Sequence, residues 1–312
     1  MPFPAIIAGA ISIAAAGVGI KKSLDAKKSL AKAKEIGAEA ESKYQTCQRD
    51  LEAKQVKAKH ALETLGRLKV DIFSNQIKHL VETIKKVKDA KSSLSDFEQD
   101  VLVQDLPEIE KMVELSLEIE YGLAAGGAAG ALAALGAYSA AGTLGLASSG
   151  TVMATLSGAA VTNATLALFG GGAVAAGGLG LAGGMVVLGG LALGPALAVG
   201  GFFIASKAEK ALTKAYEYRA DVDQAIATMQ KPMLILDGIQ STSKELASAL
   251  TQMVERFDAL KVDDITDKDA FYRMVKVGKN LKNMLNIPVL LPDGSLNQNV
   301  QTECRGYLTL GD

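Results

Sequence analysis

The feature that most constrains this chain is residues 121–206, a stretch without a single charged side chain. Its 86 residues contain no Asp, Glu, Lys, Arg or His, and 22 of them are glycine. As one α-helix it would extend about 130 Å, several times the thickness of a bilayer core. We call this stretch the apolar tract. It must fold back on itself, and its turn-forming residues predict apolar helices near 122–147, 152–169 and 173–205.

Glycine recurs within the apolar tract at four-residue spacing, which places small residues on one face of a helix. Such faces let membrane helices approach each other closely, as in a glycine zipper, and proline kinks or ends a helix. Because one residue in four is glycine, coincidental spacing is the alternative. The residues that we expect to shape helix packing are Gly126, Gly130, Gly180, Gly184, Gly190, Gly194 and Pro195.

The end of the apolar tract is its most lipid-compatible part. Residues 185–204 include ten strongly apolar side chains, each favouring membrane insertion by roughly 0.5 kcal/mol. Residues 122–147 offer fewer, so their insertion is marginal. One strong inserter beside weaker partners suits the conditional insertion of a helical hairpin. The side chains expected to drive insertion are Val186, Val187, Leu188, Phe202, Phe203 and Ile204.

The flanking sequence is charged, and the overall charge of −1 conceals a division. Residues 21–91 sum to +8, residues 92–120 to −8 and residues 207–312 to −1. Apolar residues recur every three to five positions in 21–91, which predicts a helical hairpin or short coiled coil that turns near Gly66. The excess lysine suits an anionic membrane surface. Pairing with the acidic block is the alternative, and the scarcity of arginine and aromatic residues disfavours nucleic acid.

We therefore predict an all-α fold, an elongated helical bundle with coiled-coil arms around a Gly/Ala-rich apolar helical hairpin core. A second apolar run, residues 5–20, ends just before Lys21 and is either an uncleaved membrane segment or a helix packed on the tract. The predicted segments are an apolar N-terminal helix (1–20), a charged arm (21–120), the apolar tract (121–206), amphipathic helices (207–286) and an extended piece with a tail (287–312).

The C-terminal region carries clear helix boundaries. A helix from 208 is expected to end before Pro232. Thr266 with Asp269 resembles a capping box, which predicts a helix to about Leu285. Residues 287–291 read as a short extended piece before a turn, and the tail to residue 312 is expected to be loosely held.

No arrangement of residues supports catalysis, a cofactor or a metal. A G-x-G-x-x-G match at 178–183 lacks a preceding strand. His60 and His79 have no second ligand at metal spacing. Cys47 and Cys304 are solitary, as expected of reduced thiols, and a disulfide between them stays open. We therefore expect that the protein is not an enzyme.

The tract SGAAVTNATLALFGGGAVAAGGLGLAGGMVVLGGLALGPALAVGG, with the charged arm and the Lys21-Lys22 boundary, resembles uncharacterised bacterial proteins with a Gly-rich hydrophobic core. Helices flanking a charge-free hairpin are similar, more loosely, to colicin pore-forming domains and apolipoprotein L. That resemblance implies a soluble form that later inserts into a membrane.

These observations predict a helical protein that inserts into or is anchored in a membrane, as a conditional pore former or membrane-perturbing effector. The alternative is a membrane-associated scaffold that recruits a protein partner through 21–120 without forming a pore. Expected partners are lipid and further copies of the chain. The expected location is the bacterial inner membrane, or the cytoplasm with conditional membrane association.

Overall fold

The computed structural model describes residues 20–89, 106–124, 129–139, 208–263, 267–291 and 295–309. Over these residues the prediction of an all-α fold is confirmed, because the secondary structure is helical apart from one isolated antiparallel bridge, Leu290 with Leu296. A single π-helical turn, Phe73–Ile77, joins α1 to α2. The α-helices are α1 (Ile20–Ile72), α2 (Lys78–Asp89), α3 (Leu106–Ala124), α4 (Ala129–Ala137), α5 (Ala208–Leu260), α6 (Lys268–Leu285) and α7 (Val300–Thr309).

The chain divides into two compact units, and the first comprises Met1–Ala53 and Gly189–Leu234. In unit 1 the start of α1 packs against the start of α5 through a buried cluster of Ala33, Ile36, Ala211 and Ala215. Further along, Tyr218 donates a hydrogen bond to the Glu41 carboxylate (2.6 Å), and the Cys47 thiol lies 3.7 Å from the Met229 sulfur. The contact positions rise together along both helices. The two helices of unit 1 are therefore parallel.

Unit 2 comprises Lys54–Leu188 and Ile235–Asp312. Here α2 lies against α3, where Lys85 pairs with Glu110 at 2.9 Å, and α6 packs on α2 and on the π-helical turn. A Cβ atom at Gly278 of α6 would lie 2.5 Å from the Leu80 side chain and 3.1 Å from the ring of Phe257. The absence of a side chain at this position lets α6 fit closely against α2 and α5. Phe257 and Phe271 are fully buried.

Two expected breaks lie inside continuous helices. The turn predicted near Gly66 is wrong, because α1 continues through it to Ile72. The end predicted before Pro232 is also wrong, because α5 continues through the proline to Leu260. Proline costs about 3 kcal/mol in a helix interior. Met229 and Leu236 on either side are each 1% exposed, and their packing offsets that cost.

Local signals placed the C-terminal elements in part. α6 ends at Leu285 as predicted, but its N-cap is Asp267, one residue later than the predicted Thr266, and the Asp267 side chain accepts a hydrogen bond from the Ala270 N–H. The extended piece is present, since Leu290 pairs with Leu296. The tail is not loosely held, because residues 300–309 form α7. Val300 and Cys304 of α7 are buried, and Arg256 donates a hydrogen bond to the Leu308 carbonyl.

Cys304 offers a test of how firmly α7 is packed. Cys47 and Cys304 are free thiols, and burial raises the pKa of Cys304 to about 11. The thiolate is the reactive form of cysteine. In a Cys47→Ser variant, Cys304 should therefore react with a thiol reagent at least about 100-fold more slowly in the folded protein than in the protein unfolded by urea. Stopped-flow labelling measures both rates. Equal rates would contradict a packed α7.

Candidate functional site

Two parts of the apolar tract are described: residues 121–124 end α3, and α4 is packed within unit 2 against α1. Leu132, Ala133, Leu135 and Ala137 are each no more than 2% exposed. The helix has nine residues, too few to be stable alone in water. Its stability therefore depends on the contacts described next. We call the contact region, formed by Gly66, Lys69, Gly136–Tyr138 and Ile287–Leu290, the anchor site.

Two glycines let α1 and α4 touch backbone to backbone. A Cβ atom at Gly66 would lie 1.9 Å from the Leu132 carbonyl oxygen, and one at Gly136 would lie 2.0 Å from the Leu62 carbonyl oxygen. Both distances are far below van der Waals contact. Each helix thus contributes a glycine to the crossing, and neither position can accept even a methyl group without separating the helices.

Lys69, one turn beyond Gly66 on α1, closes the end of α4. Its ammonium donates hydrogen bonds to the Tyr138 carbonyl (3.0 Å) and the Ile287 carbonyl (3.4 Å). The side chain is 0% exposed, and this desolvation lowers its pKa to about 7. A cation is favoured at a helix C-terminus, where carbonyl groups point outward without intrahelical partners. Lys69 therefore satisfies the end of α4 and joins it to residue 287.

Backbone groups complete the closure of this helix end. The Ala137 carbonyl accepts hydrogen bonds from the N–H groups of Val289 (2.9 Å) and Leu290 (2.8 Å). Val289 is 0% exposed and Leu290 2% exposed, so these bonds form away from water. The extended piece predicted from the sequence thus supplies N–H donors to a carbonyl group that has no intrahelical partner at the C-terminal end of α4.

The anchor site is a structural connection. Lys69 has the depressed pKa of some catalytic lysines, but no substrate can reach a side chain that is 0% exposed. Among the described residues no group of three or more His, Cys, Asp or Glu side chains could hold a metal ion. His60 is exposed. His79 is 15% exposed, with its Nε2 2.9 Å from the Val262 carbonyl.

Most residues predicted to act in packing or insertion lie outside the described part of the chain. Only Gly130 falls within it, near the start of α4, and the close crossing instead uses Gly136. Of the helices that the structure describes, none is both long enough and apolar enough to cross a bilayer. The residues outside the described ranges are Gly126, Gly180, Gly184, Gly190, Gly194, Pro195, Val186, Val187, Leu188, Phe202, Phe203 and Ile204.

Sequence reasoning missed the anchor site, although one signal was present. Leu62, Leu65 and Ile72 belong to the apolar stripe of α1 and are each 1% exposed. Lys69 occupies the position in that stripe where an apolar residue is expected, four residues after Leu65. A lysine in register with a buried stripe is a candidate for burial. Its acceptors, at residues 138 and 287, are too distant in sequence to be inferred.

The comparisons with known proteins match nothing: no family model fits the sequence, and neither curated proteins nor solved structures include a significant match.

Proposed function

We propose that this protein acts at membranes, inserting the apolar tract conditionally to form a pore or perturb the bilayer. The observation that carries this proposal is the tract itself, 86 residues long and free of charge. The free energy of exposing so much apolar surface to water favours either burial in protein or transfer to lipid. In this proposal the helical body is cytoplasmic in a bacterium, the target is the inner membrane, and several copies assemble there.

The anchor site supports a conditional rather than a permanent insertion. One part of the tract, α4, is buried against α1, and backbone hydrogen bonds at its C-terminal end form away from water. Insertion of the whole tract would require the loss of the contacts made by Gly66, Gly136 and Lys69. Breaking these contacts costs free energy, so the release of α4 from α1 is opposed in the absence of a membrane. The soluble body then holds the tract until a membrane offers an alternative to burial.

Glycine packing within the tract gives the first test. Replacing Gly180 and Gly184 with leucine should abolish dye leakage from liposomes, because leucine would block close approach of helices along this predicted face. Ala175→Leu with Ala182→Leu is the matched control, since these positions fall on the opposite face of the predicted helix at 173–205. The control pair should leak like the unaltered protein.

The same experiment separates the pore former from the scaffold. A scaffold that recruits a partner through 21–120 would bind vesicles without releasing dye. Its resistance to alkaline carbonate washing does not distinguish it from a pore former. Leakage that is unchanged by Gly180→Leu with Gly184→Leu would refute the packing role of these glycines. An unaltered protein that stays monodisperse without detergent and ignores vesicles of every composition would refute action at membranes.

A further inference from the structure

In unit 1, α1 and α5 are parallel, so their N-terminal parts lie at the same end of the pair. Ala33 and Ile36 of α1 cluster with Ala211 and Ala215 of α5, so that the first described residue of α5 lies level with about residue 30 of α1. The order of the later contacts, Glu41 with Tyr218 and then Cys47 with Met229, excludes an antiparallel pair. Residues some 180 positions apart in the sequence are therefore neighbours at one end of unit 1.

Each of these helices is preceded by one of the two apolar stretches in the chain. The apolar run of residues 5–20 leads into α1, and the most lipid-compatible part of the tract, residues 185–204, leads into α5. Because the helices are parallel, the two helix starts that follow these stretches in the sequence lie at the same end of the α1–α5 pair. The sequence does not reveal this pairing, which follows from the direction in which α5 packs on α1.

That end is also rich in lysine. Residues 26–38 and 208–215 together contain six lysines and two acidic residues, a formal charge of +4. Lys27, Lys28, Lys32, Lys34 and Lys210 are exposed in the structure. The buried cluster between the helices leaves these lysines on the outer faces, where long cationic side chains can reach a surface. The charge is thus concentrated at the end of unit 1 where the described parts of α1 and α5 begin.

We propose that the lysine-rich end of unit 1 docks on an anionic phospholipid surface and directs residues 5–20 and 185–204 to the same patch of bilayer. This inference rests on the proposed action at membranes and names its lipid partner and orientation. Positive charge beside apolar segments complements the anionic headgroups above an apolar interior. Nucleic acid is a poorer partner, since arginine and aromatic side chains are scarce at this end.

Three double variants of the full-length chain test the proposal. The first is Lys28→Gln with Lys32→Gln on α1, and the second is Lys210→Gln with Lys214→Gln on α5. The matched control is Lys57→Gln with Lys59→Gln, which removes two exposed lysines from the unit 2 part of α1. The readout is co-sedimentation with vesicles of phosphatidylcholine plus phosphatidylglycerol, and with phosphatidylcholine alone, at low and high salt.

Each lysine near an anionic surface strengthens binding about fivefold. Both test pairs should therefore weaken binding to the anionic vesicles by about tenfold or more and flatten its salt dependence, whereas the control pair should change neither. Equal loss in all three variants, or no loss from the α5 pair, would overturn the shared docking end while leaving membrane action intact. Failure of the unaltered protein to bind either vesicle would overturn both.

Discussion

Gly66→Ala should lower the free energy of unfolding by about 2 kcal/mol, although alanine is the better helix former. The added Cβ would lie 1.9 Å from the Leu132 carbonyl oxygen and 2.7 Å from the Leu132 carbonyl carbon. Both are backbone atoms, which cannot rotate aside, so α4 must move away from α1. Urea unfolding followed by circular dichroism measures the change. Hydrogen exchange should show faster exchange in residues 129–137.

Gly306→Ala is the matched control for this substitution. Gly306 lies within α7, and a Cβ atom there would meet nothing within 4 Å. The same chemical change should therefore stabilise the protein by up to about 1 kcal/mol, through helix propensity alone. The two variants should differ by about 3 kcal/mol with opposite signs. Similar stabilities for the two would contradict the backbone contact between α1 and α4.

Lys69→Met should remove a pH dependence of stability that the unaltered protein shows on the alkaline side. Burial lowers the pKa of Lys69 from 10.5 to about 7 in the folded protein. Between these values the unfolded chain binds a proton that the folded chain does not, so stability rises with pH. The rise attributable to Lys69 amounts to roughly 5 kcal/mol at most. Below about pH 7 both states are protonated and this contribution is constant.

Urea unfolding from about pH 6 to about pH 10 measures this difference between the two proteins. Lys59→Met is the control, because the Lys59 side chain is 62% exposed, and it should reproduce the pH profile of the unaltered protein. Identical profiles for Lys69→Met and the unaltered protein would show that Lys69 is hydrated. Since the window lies above about pH 7, Lys69 does not supply a response to further acidification.

Gly66 shows why a correct local signal gave a wrong element. Glycine marks turns, and it also marks places where two helices touch through their backbones. The residues around Gly66 continue the helical stripe to Ile72, so the helix persists and the glycine serves the crossing with α4. The prediction of a helix end before Pro232 is wrong for a similar reason, because buried residues on both sides offset the free-energy cost of proline in a helix. The C-terminal end of α6 was predicted correctly, and its N-cap, Asp267, lies one residue after the predicted Thr266.

The anchor site was beyond sequence reasoning for a different reason. Lys69 lies in the apolar stripe of α1, which hinted at burial, but its partners are carbonyl groups of Tyr138 and Ile287. Any residue type supplies a carbonyl, so no side-chain pattern identifies these acceptors. The same holds for the N–H groups of Val289 and Leu290 that close α4. A site built from backbone groups has no sequence motif.

The sequence by itself determined that this protein is helical and that 86 consecutive residues avoid charge, because helical periodicity and hydropathy are properties of neighbouring residues. The tertiary structure alone decided which helices meet and in which direction. It brought Gly66 to Leu132 and Gly136 to Leu62, buried Lys69, and made the first parts of α1 and α5 parallel. Such pairings depend on packing between residues far apart in the chain, where complementary shape and buried area are settled only when the whole fold forms.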